Sequence, residues 1–250
     1  MTNIAIRPAF ERIAGHPASP LLLLCDHASN FLPPEYKSLG LPTSEFERHI
    51  AYDIGARDLT LGLNSRLGAG ALLTCHSRLL IDPNRGADDP TLIMKLSDGA
   101  VVPGNVRITQ AERQHRIARY HAPYHAAINS TLNAMLVRGL APVIASIHSF
   151  TPNWKGVARP WQIGLLWDRD ARLVQPMLAM LRAIPGLTVG DNEPYHGALE
   201  GDTMSQHGTA RGIAHVLMEL RQDLIAAKSG VDDWVDRLAP VIEASMKGLP

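Results

Sequence analysis

Several apolar runs in this sequence end in residues that can do chemistry. Run 21–25 leads into Asp26-His27, run 71–75 into His76, and run 79–81 into Asp82-Pro83-Asn84-Arg85. Run 142–147 leads into His148-Ser149, and run 213–218 into Glu219. A lone histidine at a strand end is usually a half-buried, hydrogen-bonded residue. Several such ends carrying complementary groups shift the balance. Neutral imidazole suits zinc, and a catalytic zinc takes three protein ligands and leaves one position open. A carboxylate outside the ligand set can act as general base. An arginine offers a planar fork for a substrate carboxylate. Histidines, a carboxylate and an arginine gathered at strand ends therefore suggest a zinc hydrolase. No compact H-E-x-x-H pattern supports it, because His27 and His148 lie far apart in the chain.

The elements that must position these groups can be read from periodicity. The stretch 142–147 is apolar, partly β-branched and bounded by prolines, the pattern of a buried strand. Runs 21–25, 71–75, 79–81, 162–167 and 213–220 read the same way, with a shorter strand at 187–189. Helical spacing covers 45–63, 173–184 and 232–246. Thr109-Gln-Ala-Glu112 is a capping box and predicts a helix to about Arg138, bent at Pro123 and closed by Gly139. Stretches 86–106 and 190–212 read as irregular. Strands alternating with helices predict one α/β domain over residues 1–250, with a largely parallel sheet covered on both faces. Such sheets bind ligands at the carboxyl ends of their strands.

Composition narrows the function classes. The chain has 250 residues, 46% hydrophobic, with 24 basic and 24 acidic residues. Zero formal charge implies neither a nucleic-acid surface nor a polyanionic partner. The only cysteines, Cys25 and Cys75, are expected as reduced thiols. No run reaches membrane-span length, and residues 1–8 show no signal-peptide pattern, so a cytoplasmic protein without membrane partners is expected. There is no P-loop and no G-x-G-x-x-G, so no nucleotide cofactor is indicated.

Six segments in order carry a resemblance. They are Asp26-His27-Ala28-Ser29-Asn30-Phe31-Leu32-Pro33, Tyr52-Asp53-Ile54-Gly55, Leu80-Ile81-Asp82-Pro83-Asn84-Arg85, Tyr120-His121-Ala122-Pro123-Tyr124-His125, Ile147-His148-Ser149 and Met218-Glu219-Leu220-Arg221-Gln222. Through them the chain resembles the N-formylglutamate amidohydrolase family over nearly its whole length. That family is in turn similar to zinc carboxypeptidases and aspartoacylases. The resemblance implies a zinc-carboxypeptidase-like three-layer α/β/α sandwich with a mostly parallel mixed sheet. It implies zinc on His27 and His148, a substrate carboxylate on Arg85 with Asn84, and Glu219 as general base. It also implies a small N-acyl acidic amino acid as substrate, formate and glutamate as products of N-formylglutamate, and a place in histidine degradation.

One departure matters. Carboxypeptidase-like enzymes carry a glutamate ligand three residues after the first histidine, where this chain has Asn30. Asp53 is favoured as third ligand, with Asp26 in reserve. Arg159 is a candidate for a second substrate carboxylate, against the default of a surface arginine. His121 and His125, four apart on one helix face, are expected in packing or supporting roles. His196 and His207 could border the pocket, and Glu219 could instead pair with Arg221. Asn30 keeps open a non-catalytic ligand-binding protein on the same fold. A related N-acyl amino acid deacylase or carboxypeptidase-like hydrolase is the nearer alternative.

Overall fold

Seven strands form the central sheet of the computed structural model, which describes residues 7–249. Most of the N-terminal stretch read for a leader, residues 1–6, lies outside the described residues. The chain enters through β1 (Phe10–Ile13), β2 (Leu21–Cys25), helix α1 (Ala56–Leu67) and β3 (Gly70–Thr74). A hairpin follows, β4 (Leu96–Ser97) with β5 (Ala100–Val101), then helices α2 (Pro103–Val106), α3 (Gln110–Arg116) and α4 (Ala122–Val137). Next come β6 (Val143–Phe150), a second hairpin of β7 (Asn153–Trp154) and β8 (Val157–Ala158), and β9 (Ile163–Leu166). Helix α5 (Val174–Arg182), β10 (Val189–Asp191), α6 (Thr203–His207), β11 (Ala214–Arg221) and α7 (Lys228–Lys247) complete it.

The sheet order is β1-β3-β2-β6-β11-β9-β10. Strands β3, β2, β6 and β11 run parallel, while β1 and the β9–β10 pair run against them. Both faces are covered, which explains why the central strands are apolar without alternation. Leu21, Leu23 and Cys25 point to the face packed by α1, α5 and α7. Leu22 and Leu24 point to the opposite face, packed by α4. Each fully buried leucine contributes about 1.5–3 kcal/mol of transfer free energy, so these two layers stabilise the sheet that carries the strand ends. Among the described residues no helix is long and apolar enough to cross a membrane.

Three local departures from expectation have physical causes. Helical spacing over 45–63 resolves into a 3-10 helix, Thr43–Glu47, and α1. Gly55 separates them at φ 80, where a side chain would strike the Ile225 carbonyl. The apolar run 79–81 is a buried turn, not a strand. Its carbonyls are captured by side chains, Asn105 Nδ2 donating to Leu79 O at 2.8 Å and Arg116 Nη1 to Leu80 O at 3.0 Å. The expected helix from Thr109 is broken by a π-turn, Ile117–His121, which absorbs the missing donor of Pro123. The long polar stretches also contain short elements, the β4–β5 hairpin and α6, which periodicity did not show.

Candidate metal centre and active site

The carboxyl ends of β2, β6 and β11 lie side by side, and their register decides what meets there. Leu24 pairs with Ser146, and Glu219 pairs with His148. His27 follows β2 by two residues and is drawn to the same level. Its carbonyl accepts from the Asp53 backbone N at 3.0 Å, which pins the turn before α1 against the end of β2. Gly55 gives that turn its left-handed step. His27, Asp53 and His148 thus converge, each about 2% exposed, with one ligand atom from each within 4.8 Å of the others.

The arrangement fits a divalent metal. Asp53 Oδ2 lies 3.2 Å from His27 Nδ1 and 2.9 Å from His148 Nδ1. Tetrahedral zinc with bonds of about 2.0–2.2 Å separates its ligand atoms by roughly 3.3–3.5 Å, so a slight opening of the group would admit the ion. The outward nitrogen of each imidazole is held by a carboxylate. His27 Nε2 donates to Asp82 Oδ1 at 2.7 Å, and His148 Nε2 lies 3.3 Å from Asp26 Oδ2. Backing carboxylates of this kind fix the ring tautomer and raise ligand basicity. Asp82 is in turn paired with Arg78 at 2.8 Å, and Asp26 accepts from the Tyr124 hydroxyl at 2.7 Å.

The charges are shaped accordingly. Burial alone would raise Asp53 and Asp82, but His27 and His148 around Asp53, and Arg78 and His27 around Asp82, hold both well below the usual carboxylate range. Burial alone would lower His148, but Asp26 and Asp53 hold it well above the ordinary imidazole value. An ion held by His148 and Asp53 would supply the positive charge that this extra proton supplies in its absence. His49 sits on the rim, its pKa pushed down to about 4 by burial.

Glu219 behaves differently. It is 7% exposed, its Oε2 accepts no hydrogen bond, and it has no ion-pair partner among the described residues. Burial pushes its pKa up to about 7, against the opposing pull of His148. Arg221, the alternative partner, instead pairs with Asp223 at 2.9 Å. A carboxyl group poised near neutrality beside a candidate metal-ligand set has the properties of a general acid–base group.

A cavity of about 500 Å³ opens over this edge, lined among others by His27, Asp53, His148, Glu219, Asn84 and Arg85. Its size falls in the roughly 300–1,000 Å³ range of small-molecule sites. Asn84 and Arg85 arrive through the buried turn. That turn is clamped from α4 and the π-turn before it. His125 Nε2 donates to Pro83 O and His121 Nε2 to Arg85 O, each at 2.9 Å. His207 Nε2 meets His125 Nδ1 at 2.8 Å, and the Thr203 backbone N donates to Asn84 Oδ1 at 3.1 Å. Among the described residues the Arg85 guanidinium bonds only Asn84 O and Thr91 Oγ1, so it is free to take an anion.

The structure thus brings His27, Asp53, His148, Glu219, Asn84 and Arg85 to one cavity, with His196 on its wall. His121, His125 and His207 are buried behind the wall. The other candidates lie outside this group. His76 is packed between Phe31 and Tyr120, away from the cavity. Asn30 is exposed and donates to Phe46 O at 2.8 Å. Asp26 faces the outer nitrogen of His148 and is not in the converging group. Arg159 is neither a wall residue nor an ordinary surface arginine. It is 8% exposed and packed among Phe150, Trp154 and Tyr195, its Nη1 donating to Thr151 and to the Tyr195 hydroxyl. Sequence reading assigned no role to Asp82, Arg78 or Tyr124. Asp82 carried the signal that Asp26 carried, an aspartate ending an apolar run, and Arg78 lies four residues before it.

Known proteins resemble this chain over most of its length. The family model for N-formylglutamate amidohydrolase matches residues 19–226. A solved gene product of Agrobacterium tumefaciens is 30% identical, with a TM-score of 0.91 and 96% of each chain covered. N-formylglutamate amidohydrolase from Ralstonia eutropha JMP134 is 24% identical, with a TM-score of 0.77 and coverage of 97% of this chain and 98% of that one. No curated protein matches. The chain belongs to the N-formylglutamate amidohydrolase family, whose description is that of a hydrolase acting on amides.

Proposed function

We propose that the protein is a zinc-dependent hydrolase that cleaves the amide bond of a small N-acyl amino acid, N-formylglutamate being the compound for which its family is described. The observation that carries this reading is the buried His27–Asp53–His148 group with Glu219 in register beside His148. His27, Asp53 and His148 would hold the ion, which when bound supplies a Lewis acid for the acyl oxygen and acidifies water. Glu219 takes the proton of the attacking water as its oxygen adds to the acyl carbon. Glu219 then passes that proton to the departing nitrogen as the C–N bond breaks. Arg85 holds a substrate carboxylate, and the histidine clamp on its turn fixes the distance from that anchor to the acyl carbon. With N-formylglutamate the products are formate and glutamate. Asn30, the feature that kept a non-catalytic reading open, stands outside the ligand group.

The test is direct. Metal-stripped protein should bind about one zinc per chain and gain formate-releasing activity with it. A protein that stays inactive on N-formyl amino acids when zinc-loaded would refute the reading. Arg85→Lys tests the anchor. It keeps the charge and loses the bidentate fork. A hydrogen bond to a charged group is worth about 1.5–3 kcal/mol, so kcat/KM for a carboxylate-bearing substrate should fall roughly tenfold or more. An unchanged value would move the anchor elsewhere.

A further inference from the structure

N-formylglutamate carries two carboxylates, and the cavity offers a free guanidinium for one. Three arginines line it. Arg48 is paired with Glu45 and Asp98, and Arg78 with Asp82 and Asp53. Arg85 has no carboxylate partner among the described residues, and no lysine lines the cavity. Arg159, the expected second seat, is engaged behind Tyr195 and Trp154. The wall adds negative charge instead. Asp202 is 3% exposed and has no cationic ion-pair partner among the described residues, and it borders the Arg85 turn through Thr203 and Asn84.

Past Asp202 the cavity wall is apolar. Leu217 precedes Glu219 by two residues on β11 and therefore points to the same face of the sheet. It pairs with Leu166 of β9. Leu217, Leu166 and Met204 belong to one buried cluster, and all three line the cavity with Leu199 and Trp167. Together they form a trench running from Glu219 toward His215, four residues along β11, or about 13 Å of strand. The trench meets the anchor directly, because Gly86 packs against Gly201 and Asn84 holds Thr203, the residue before Met204. A carboxylate and a side chain diverge from one Cα. A substrate whose carboxylate is on Arg85 can therefore lay its side chain in this trench.

We propose that the substrate is an N-formyl or similarly small N-acyl derivative of an amino acid with an apolar side chain, of leucine to phenylalanine size, bearing a single carboxylate. This rests on the hydrolase reading above. Water adds to the acyl carbon, the C–N bond breaks, and a small acid and a free apolar amino acid leave. A second carboxylate in the trench would lose its hydration with no lysine or unpaired arginine in the lining to replace it.

The experiment has two readouts on zinc-loaded protein. Hydrolysis of N-formyl-L-leucine, N-formyl-L-phenylalanine and N-formyl-L-glutamate is compared, and binding of L-leucine and L-glutamate is measured by calorimetry. Burial of one apolar side chain predicts kcat/KM roughly tenfold to a hundredfold higher for the better apolar substrate. Leu199→Arg, in the half-buried loop over the trench, should reverse the order. Preference of the parent protein for N-formyl-L-glutamate overturns the inference and leaves the hydrolase reading standing. An unreversed order in a folded Leu199→Arg protein also overturns it. No hydrolysis of any of the three, with L-leucine bound more tightly than L-glutamate, upholds the apolar trench and removes the hydrolase reading.

Discussion

Glu219→Gln is expected to lower kcat by about 10²–10⁴-fold, the contribution of a positioned general acid–base group, while zinc content stays at the parent level. The substitution keeps side-chain volume and removes the titrating group. Its second signature is a pH-dependent stability in the metal-free protein. The Glu219 pKa in the folded state, about 7, lies above the ordinary 4.5. The folded protein therefore holds a proton that the unfolded chain releases. Stability from that proton is fully present below about 4.5 and is lost as pH rises through about 7. Each unit of elevation corresponds to about 1.4 kcal/mol. Glutamine escapes this loss, so the melting temperature of Glu219→Gln relative to the parent should rise between pH 5 and pH 8 in chelator. A fully active, zinc-loaded Glu219→Gln protein would sink the mechanism. A flat difference in melting temperature would show that the buried carboxyl does not titrate near neutrality.

The legible parts of this fold are those in which local pattern and tertiary role agree. Strands β2, β6 and β11 are apolar on both faces because helices cover both, and their ends could be read directly as Asp26-His27, His148 and Glu219. The parallel register that sets Glu219 opposite His148 needs only three strands of similar depth. The run 79–81 has the pattern of a strand, but its apolar residues are buried without a ladder. Side chains far along the chain, Asn105 and Arg116, satisfy its carbonyls, and nothing local announces them. Asp53 was legible as a candidate but not as a certainty, because an aspartate inside helical spacing is ordinarily solvated. What buries it is the hydrogen bond from its backbone N to His27 O, a contact between residues far apart in sequence. Arg159 shows the reverse limit. Its type fitted a carboxylate seat, and only the packing of Phe150, Trp154 and Tyr195 around it reveals that it is engaged elsewhere.

Substitutions around the candidate metal centre should sort by distance from the ion. His148→Ala removes a candidate ligand nitrogen and leaves Asp53 and Asp26 as buried carboxylates facing a void, so most zinc binding should be lost. Asp53→Ala removes the one anionic member of the candidate group and should weaken zinc far more than Asn30→Ala, whose side chain only braces the Phe46 carbonyl. Asp82→Asn belongs between these extremes. It keeps the shape of the contact to His27 Nε2 but loses the charge that raises ligand basicity, and partners of this kind are worth roughly 10–100-fold in metal affinity. The expected order of zinc affinity, measured by competition with a chromophoric chelator, is parent and Asn30→Ala, then Asp82→Asn, then Asp53→Ala and His148→Ala. Removing His148 or Asp53 should leave the metal-free fold intact, because the two helical layers hold the sheet without the site. Metal-free Asp53→Ala should nonetheless lose stability as an imidazolium loses its partner, since breaking a buried pair leaves an uncompensated charge. Undiminished stoichiometric zinc in His148→Ala would place the ion elsewhere. Weaker zinc binding in Asn30→Ala than in Asp53→Ala would return the third ligand to the position three residues after His27.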